Sequence, residues 1–559
     1  MLIILAVAAG LRIWGLHWGL PNSAHYFSYH PDETIILNAA TNVDLLGGQF
    51  DPGFYNYGSL YIYLVNIGIS VAMVLGAINL SGDPFAHINE FAKVYMTGRI
   101  IALVLGILTV YLVYALGRRM YGKPVGLVAA AFMAIAPLHA MHSKFMAVDV
   151  PATFFLVLSL LYAARIPQDS RWRNYILAGL FAGFAAATKY NAGLVLLSLI
   201  AVHLASTQGR PIFQAFQPKM LAGIGSAASG FLIGCPGALI NTPAFVRDFK
   251  FEVLHAGAGH GLVFAGTGSG FLYHLMHSLL PGLGPALLAL GLLGMLYALI
   301  RRSTANGIAR LLLSWRVQTP MTETAARDWM LIVFLVAYYV LIGLAQVRFA
   351  RYVIPLLPVI SLLAARIVVE CAGRSKAVGV TVGLVVVLAI GYTAAYTAAT
   401  DTLFVYQDTR DQAAAWVQSN VREGSSIGLP TTPWFYTPPL LPDFGSGDAK
   451  DRVASAEEST EYVFVVDGRK EWNADLFEQA APDYAILSEF ECVDRKRLHD
   501  PDYEKYMAVL KRDYRLEKQF VRRLELFGVR FPMQWDLPHD MSYASPDILI
   551  FARSVSAGG

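Results

Sequence analysis

The sequence predicts an α-helical polytopic membrane protein with a C-terminal α/β domain, and three observations predict it. Of 559 residues, 55% are hydrophobic and only 15% charged, whereas soluble globular domains carry about 25% charged residues. Uncharged runs over 100–116, 125–140, 154–164 and 378–399 approach or reach the roughly 20 residues that cross a bilayer. Beyond Ala399 the character changes, and much of the charge falls among apolar stretches too short to span.

Crossings are expected at 1–20, 94–117, 124–141, 150–164, 174–188, 191–206, 220–240, 275–300, 328–345, 352–370 and 378–399, about eleven helices in all. Alternate connections are basic: Arg118, Arg119 and Lys123; Arg165, Arg171 and Arg173; Arg210 and Lys219; Arg301, Arg302, Arg310, Arg316 and Arg327; Arg374 and Lys376. The positive-inside rule assigns these to the cytoplasm, with the N-terminus on the same side. Residues 54–80 are apolar enough to span, but a crossing there would flip every later basic loop. Four tyrosines between Tyr55 and Tyr63 suit a juxtamembrane or re-entrant helix on the outer surface instead. The first crossing is short and carries Arg12, which fits a start upstream of Met1, and no cleavable signal is evident. The expected division is a transmembrane domain over 1–399, with 21–93 as its first external loop, and an external α/β domain over 400–559. In the tail, a helix with Trp416 on its apolar side is expected over 409–421 and another over 503–512. Strands are expected over 426–429, 462–466, 484–489 and 548–552.

Composition also excludes function classes. A net charge of +3, spread over short loops, argues against a nucleic-acid partner. The three cysteines, Cys235, Cys371 and Cys492, are scattered and imply neither a disulfide framework nor a metal cluster. No glycine-rich nucleotide motif occurs in the tail. A transporter would show paired repeats and mid-bilayer polar groups, whereas the ionisable groups here gather at one face.

That outer face collects Asp32 and Glu33 after the first helix, Arg99 at the outer end of the second, and Lys144 and Asp149 around the next external loop. Lys189 and Tyr190 follow at a turn, and Arg348, Arg351 and Tyr352 precede Pro355. Acids at a membrane face are costly without a partner or a task. Taken singly, each has a plainer account: a solvated Pro-Asp turn, interfacial anchoring by Arg99, Lys144, Arg348 and Arg351, a helix N-cap at Asp149. Together they suit a lipid-linked phosphate, with cations holding the phosphate and a carboxylate taking a proton from the attacking group.

The Asp32-Glu33 pair, the stretch from Met141 to Asp149 leading into Phe154-Phe155, and the run from Arg348 to Pro355 resemble the C-type membrane glycosyltransferases (the GT-C fold). The nearest branch contains the dolichyl-phosphate-mannose protein mannosyltransferases and the aminoarabinose transferase of lipid A. Lys144 stands where mannosyltransferases have Arg, and the tail lacks the β-trefoil insert of the eukaryotic enzymes. The resemblance covers about the first 400 residues and implies transfer of a sugar, with inversion, from a polyprenyl-phosphate donor to an acceptor hydroxyl at the outer face. It implies Asp32 as the base, with Glu33 or Asp149 orienting sugar hydroxyls or Arg99. Lys189, Arg348, Arg351 and Tyr352 would face the leaving phosphate, with Arg99, Lys144 and Tyr190 as further substrate-binding residues. The acceptor is a glycan, a lipid or a protein. A lipid phosphate is already a stable leaving group, so no metal cofactor is required. His255, His260, His274 and His277 lack tight ligand spacing; His255 and His260 are assigned to acceptor recognition or loop polarity. The competing expectations are a non-catalytic subunit that keeps the transferase fold, and an oligosaccharyltransferase, whose Trp-Trp-Asp signature the tail lacks.

Overall fold

A computed structural model describes residues 1–80, 87–209, 211–301, 304–307, 319–531 and 538–554. Arg210, Arg302, Arg310 and Arg316 of the expected cytoplasmic connections lie outside the described residues. The body is helical. Among the described residues, four helices are long and apolar enough to cross a bilayer, Ile88–Tyr121, Glu323–Leu344, Ala350–Ala372 and Lys376–Thr402. Shorter apolar helices lie within other stretches expected to cross, among them Leu2–Ile13, Lys123–Ala134, Asp149–Ala163 and Tyr190–Ser206. Lys376–Thr402 turns Val380, Leu384, Val387 and Leu388 outward, the apolar exposure expected of a lipid-facing helix.

Breaks fall where local chemistry forces them. The expected crossing over 124–141 divides into Lys123–Ala134 and Pro137–His142, because Pro137 has no N–H to continue the ladder. The uninterrupted crossing expected over 275–300 is corrected: the helices flanking Gly284 meet at 117°. Gly284 holds φ at +77° immediately before Pro285, a left-handed conformation followed by a missing donor. Within 54–80 the helix is Leu60–Val74, lying along Ile88–Tyr121 with the Tyr61 hydroxyl donating to the Gly98 carbonyl at 2.8 Å.

Small residues let helices approach closely. Trp172–Thr188 packs on Pro218–Gly234 through Gly179 and Gly183 against Gly223 and Ala227. A Cβ at Gly179 would sit 1.9 Å from the Gly223 carbonyl oxygen.

The tail forms a five-stranded sheet in the order β2-β1-β3-β7-β4. Its strands are β1 Ser426–Gly428, β2 Val463–Val465, β3 Tyr484–Ser488, β4 Tyr514–Phe520 and β7 Ile548–Arg553, and a separate small hairpin is made by β5 Glu525–Leu526 and β6 Val529–Arg530. β2, β1 and β3 run parallel, and β7 is antiparallel to β3 and β4. Alternation divides the core between the two faces. Ile486, Ile548 and Ile550 meet Val417 of the helix Thr409–Asn420, whereas Ala485, Leu487 and Phe551 meet Leu510 of the helix Pro501–Asp513. Trp416 is half-buried against the first of these clusters. β4 was not expected; Tyr514, Leu516 and Phe520 alternate with Arg515, Glu517 and Gln519, but Lys518 breaks the pattern and the strand is exposed at a sheet edge between its ends.

The sheet domain docks on the helical body by buried polar contacts. The Trp18 indole donates to Asp408 at 3.0 Å, and the Arg410 guanidinium, paired with Asp408, lies 3.7 Å from the Tyr29 ring centroid. Gly179→Val should lower the unfolding midpoint in detergent, by overpacking worth about 1–3 kcal/mol. Gly225→Val, with nothing within 4 Å of its Cβ, should leave the midpoint unchanged.

Candidate active site

The helix Pro31–Thr41 begins with Pro31 in its first turn, and its fixed φ suits that place. Asp32 and Glu33 follow in the same turn, where carboxylates complement the helix dipole. Successive helical positions point about 100° apart, so the two acids meet different arginines. Glu33 is fully enclosed and receives Arg99 Nε at 2.8 Å and Nη2 at 2.7 Å, the Met146 N–H at 2.8 Å and the Ser28 hydroxyl at 2.5 Å. Arg99 also donates to the Leu16 and Trp18 carbonyls, both at 2.7 Å. Asp32 instead pairs with Arg351 at 3.2 Å.

Asp32, Lys189, Arg351 and Tyr352 line a cavity of about 650 Å³ between the helical body and the sheet domain, and His255 and His260 line it too. Arg351 Nη1 is 3.7 Å from Asp540 and has no hydrogen-bond partner among the described residues. Asp540 accepts the backbone N–H groups of Ala350 at 2.8 Å and Arg351 at 2.9 Å, an anion seated at the start of a helix. The Lys189 ammonium lies 4.6 Å from the Tyr352 ring centroid and is held from behind by Asp149 at 2.5 Å. Asp149 therefore serves Lys189. It is not an N-cap, since it stands one position inside its helix without a capping hydrogen bond.

The other expected residues lie off this cavity wall. Lys144 is enclosed by Asp401 at 2.8 Å and the Leu11 carbonyl. The Tyr190 hydroxyl donates to the Tyr55 and Tyr57 carbonyls at 2.7 and 3.1 Å, pinning the segment before the helix Leu60–Val74. Arg348 donates to Thr267 at 2.7 Å and Gln346 at 3.2 Å. Asp540 and Tyr543 were missed by the sequence reading; nothing local marks a lone tail Asp as the partner of an arginine almost 200 positions earlier.

The electrostatics are those of an anion site. Burial alone would raise the Asp32 pKa, but Arg351, His30 and Lys189 outweigh it and hold the carboxyl below its ordinary range. Burial, then His260 and Arg351, push the His539 ring down to about 3, and burial with His255 also lowers His260. Both rings are neutral near pH 7, leaving Arg351 and Lys189 as the cavity's cations on this side. His255 and His260 share a 3.0 Å hydrogen bond, and among the described residues no group of three or more His, Cys, Asp or Glu is placed to hold a metal. On the opposite wall, burial pushes the Glu491 carboxyl up to about 7, partly offset by hydrogen bonds from Thr431 and the Ser488 N–H.

Residues 89–230 match the family model for dolichyl-phosphate-mannose-protein mannosyltransferase. That segment carries Arg99, Lys144, Asp149, Lys189 and Tyr190, so the match supports the resemblance to the C-type membrane glycosyltransferases. No curated protein matches the chain. Among solved structures, the Archaeoglobus fulgidus oligosaccharyltransferase tethered to an acceptor peptide is 14% identical with a TM-score of 0.48, covering 92% of this chain and 72% of that one. ArnT from Cupriavidus metallidurans bound to undecaprenyl phosphate is 12% identical with a TM-score of 0.45, covering 100% and 98%. The S. cerevisiae protein O-mannosyltransferase Pmt1-Pmt2 complex bound to the sugar donor is 16% identical with a TM-score of 0.27, covering 45% and 33%. Such identities and scores transfer no residue role or ligand.

Two outcomes follow from the pairing. Glu33→Gln leaves Arg99 buried without its counter-charge and should cost about 3–5 kcal/mol, read as a lowered unfolding midpoint in detergent. Glu491 has a folded-state pKa above its unfolded one, so its contribution to stability is complete below about pH 4.5 and is lost as pH rises through about 7. Glu491→Gln should flatten the change in unfolding midpoint across that window; an unaltered slope would show that other groups set it.

Proposed function

We propose that the chain transfers a sugar from a polyprenyl-phosphate-linked donor to an acceptor hydroxyl at the outer face of the membrane, with inversion and with Asp32 as base. The observation that carries this reading is the meeting of Asp32, Arg351, Lys189 and Tyr352 on one cavity at the head of apolar helices. In this reading the N-terminus is cytoplasmic and the sheet domain external, so the cavity opens at the outer leaflet of a multi-pass protein of the cell membrane.

The acceptor oxygen attacks the anomeric carbon as the bond from that carbon to the phosphate oxygen breaks. The acceptor proton passes to Asp32, and the bonding pair leaves on the lipid phosphate. Arg351 offers its guanidinium to that phosphate, Lys189 a point charge and Tyr352 a hydroxyl. Charge grows on the phosphate as the bond breaks, so these donors favour the transition state over the ground state. A donor phosphate also competes with Asp32 for Arg351. Loosening that pair raises the proton affinity of Asp32, which makes it a better base once the donor is seated. Glu33 and Asp149 act as positioning residues, since each is committed to a cation.

Asp32→Asn should reduce consumption of lipid-linked sugar about a hundredfold or more, the scale of a lost general base. Unchanged turnover in that variant removes the base assignment. The second reading, a non-catalytic subunit that keeps the fold, is favoured if the unaltered protein consumes no donor across a range of polyprenyl-phosphate sugars.

A further inference from the structure

The cavity has a second wall, supplied entirely by the sheet domain, which the transfer chemistry leaves unused. Its residues follow the carboxyl ends of the three parallel strands. Thr431 and Trp434–Tyr436 come after β1, Glu471 and Trp472 after β2, and Glu491 after β3. The strand order β2-β1-β3 places β1 at the point where the chain leaves on one side and returns on the other. In open parallel sheets, ligands bind in the crevice outside the carboxyl ends at such a point. Sheet topology and cavity lining are independent observations, and they select the same rim.

The rim's chemistry selects the ligand. Trp434 is 41% exposed although it lies in a cavity wall. Arg452 fixes it from one side, with its guanidinium 5.6 Å from the ring and donating to the Pro433 and Gly447 carbonyls at 2.6 and 2.7 Å. Tyr436 is stacked on Phe490 at 5.6 Å and 23°. Among the described residues Glu491 has no cation partner in an ion pair; it accepts from the Thr431 hydroxyl and, in a capping box, from the Ser488 N–H at 2.9 Å. Rigid ring faces beside carboxyl groups match a saccharide, whose C–H face is apolar and whose edge carries hydroxyl donors. A peptide held as an added strand would need an open sheet edge, whereas this rim presents side chains beyond strand ends. Tyr543 connects the two walls, because it lines the same cavity as Arg351 and packs its ring 5.4 Å from that of Phe435.

We propose that the rim after β1, β2 and β3 is the acceptor site, and that it takes a carbohydrate: Trp434 and Tyr436 cover the sugar face, and Glu491 accepts its hydroxyls. The proposal deepens the transferase reading and rests on it for the role of acceptor, while saccharide binding itself is read independently.

The test uses the full chain in detergent on a printed array of neutral and acidic oligosaccharides, followed by titration of the strongest saccharide found. The unaltered protein should bind at least one array member. Trp434→Ala should weaken that saccharide tenfold or more, Trp434→Phe should restore much of the loss, and Glu491→Gln should weaken it severalfold. Stabilisation by undecaprenyl phosphate, read as a shift in unfolding midpoint, should be the same in the unaltered protein and in Trp434→Ala, which also shows that the variant is folded. No binding to any array saccharide, or binding indifferent to Trp434→Ala and Glu491→Gln, overturns the proposal. Saccharide binding with those losses, but no response to undecaprenyl phosphate, upholds the carbohydrate site and counts against the donor reading alone.

Discussion

The geometry of the cavity depends on the buried ion pair between Glu33 and Arg99. Both groups are withdrawn from water, and their mutual attraction offsets that cost only because four further hydrogen bonds, from Ser28 and Met146 and to the Leu16 and Trp18 carbonyls, complete the set. Those partners come from the first helix region, the first external loop, the helix Ile88–Tyr121 and the loop before Asp149. One pair therefore locks four chain segments together. With Glu33 fixed, helical geometry leaves Asp32 no choice but to project elsewhere, and elsewhere is the cavity with Arg351. The adjacent acids divide the work, one holding the scaffold and one facing the cavity.

A similar arrangement recurs at Lys189 and Arg351. Each cation on the cavity wall has a carboxylate behind or beside it, Asp149 for Lys189 and Asp540 for the backbone of Arg351. A bare buried cation would be expensive; a cation whose partner leaves some donors unused is stable and still able to take an anion. The contribution of Asp540 also explains why the sheet domain is integral to the site. It anchors the start of the helix that carries Arg351, so removing the tail would expose the cavity and release that arginine together.

Much of this was legible in the sequence, and the reasons differ by element. Apolar runs located many of the helices, because a bilayer imposes length rules that leave strong traces. The bend at Gly284 was written in a Gly-Pro pair but hidden inside an apolar stretch whose hydropathy does not change. Strand β4 was missed because only Tyr514, Leu516 and Phe520 in it are apolar, and Lys518 interrupts their alternation on an exposed edge. For the candidate site, residue types were enough to name Asp32, Lys189, Arg351 and Tyr352, which the structure gathers on one cavity, but not to separate them from Arg99, Lys144, Tyr190 and Arg348. That separation depends on which cations find a carboxylate or carbonyl elsewhere in the chain, as Lys144 finds Asp401 across more than 250 positions. Such pairing is tertiary information.

The same reasoning bears on why the tail carries its aromatic residues where it does. A domain that merely capped the cavity would do so with the apolar packing seen on the two faces of its sheet, where Ile486 and Leu487 are enclosed. Instead the loops after its parallel strands bring Trp434, Tyr436 and Glu491 to the cavity, and leave Trp434 substantially exposed there. Exposing a tryptophan forgoes stability that a smaller or polar residue would have kept, and Glu491 is a half-buried carboxyl held by Thr431 and the Ser488 N–H and not by a cation. Both departures sit on one rim, facing the acid and the cations of the helical body, and the sheet domain's loops are therefore shaped by what enters the cavity as well as by the need to close it.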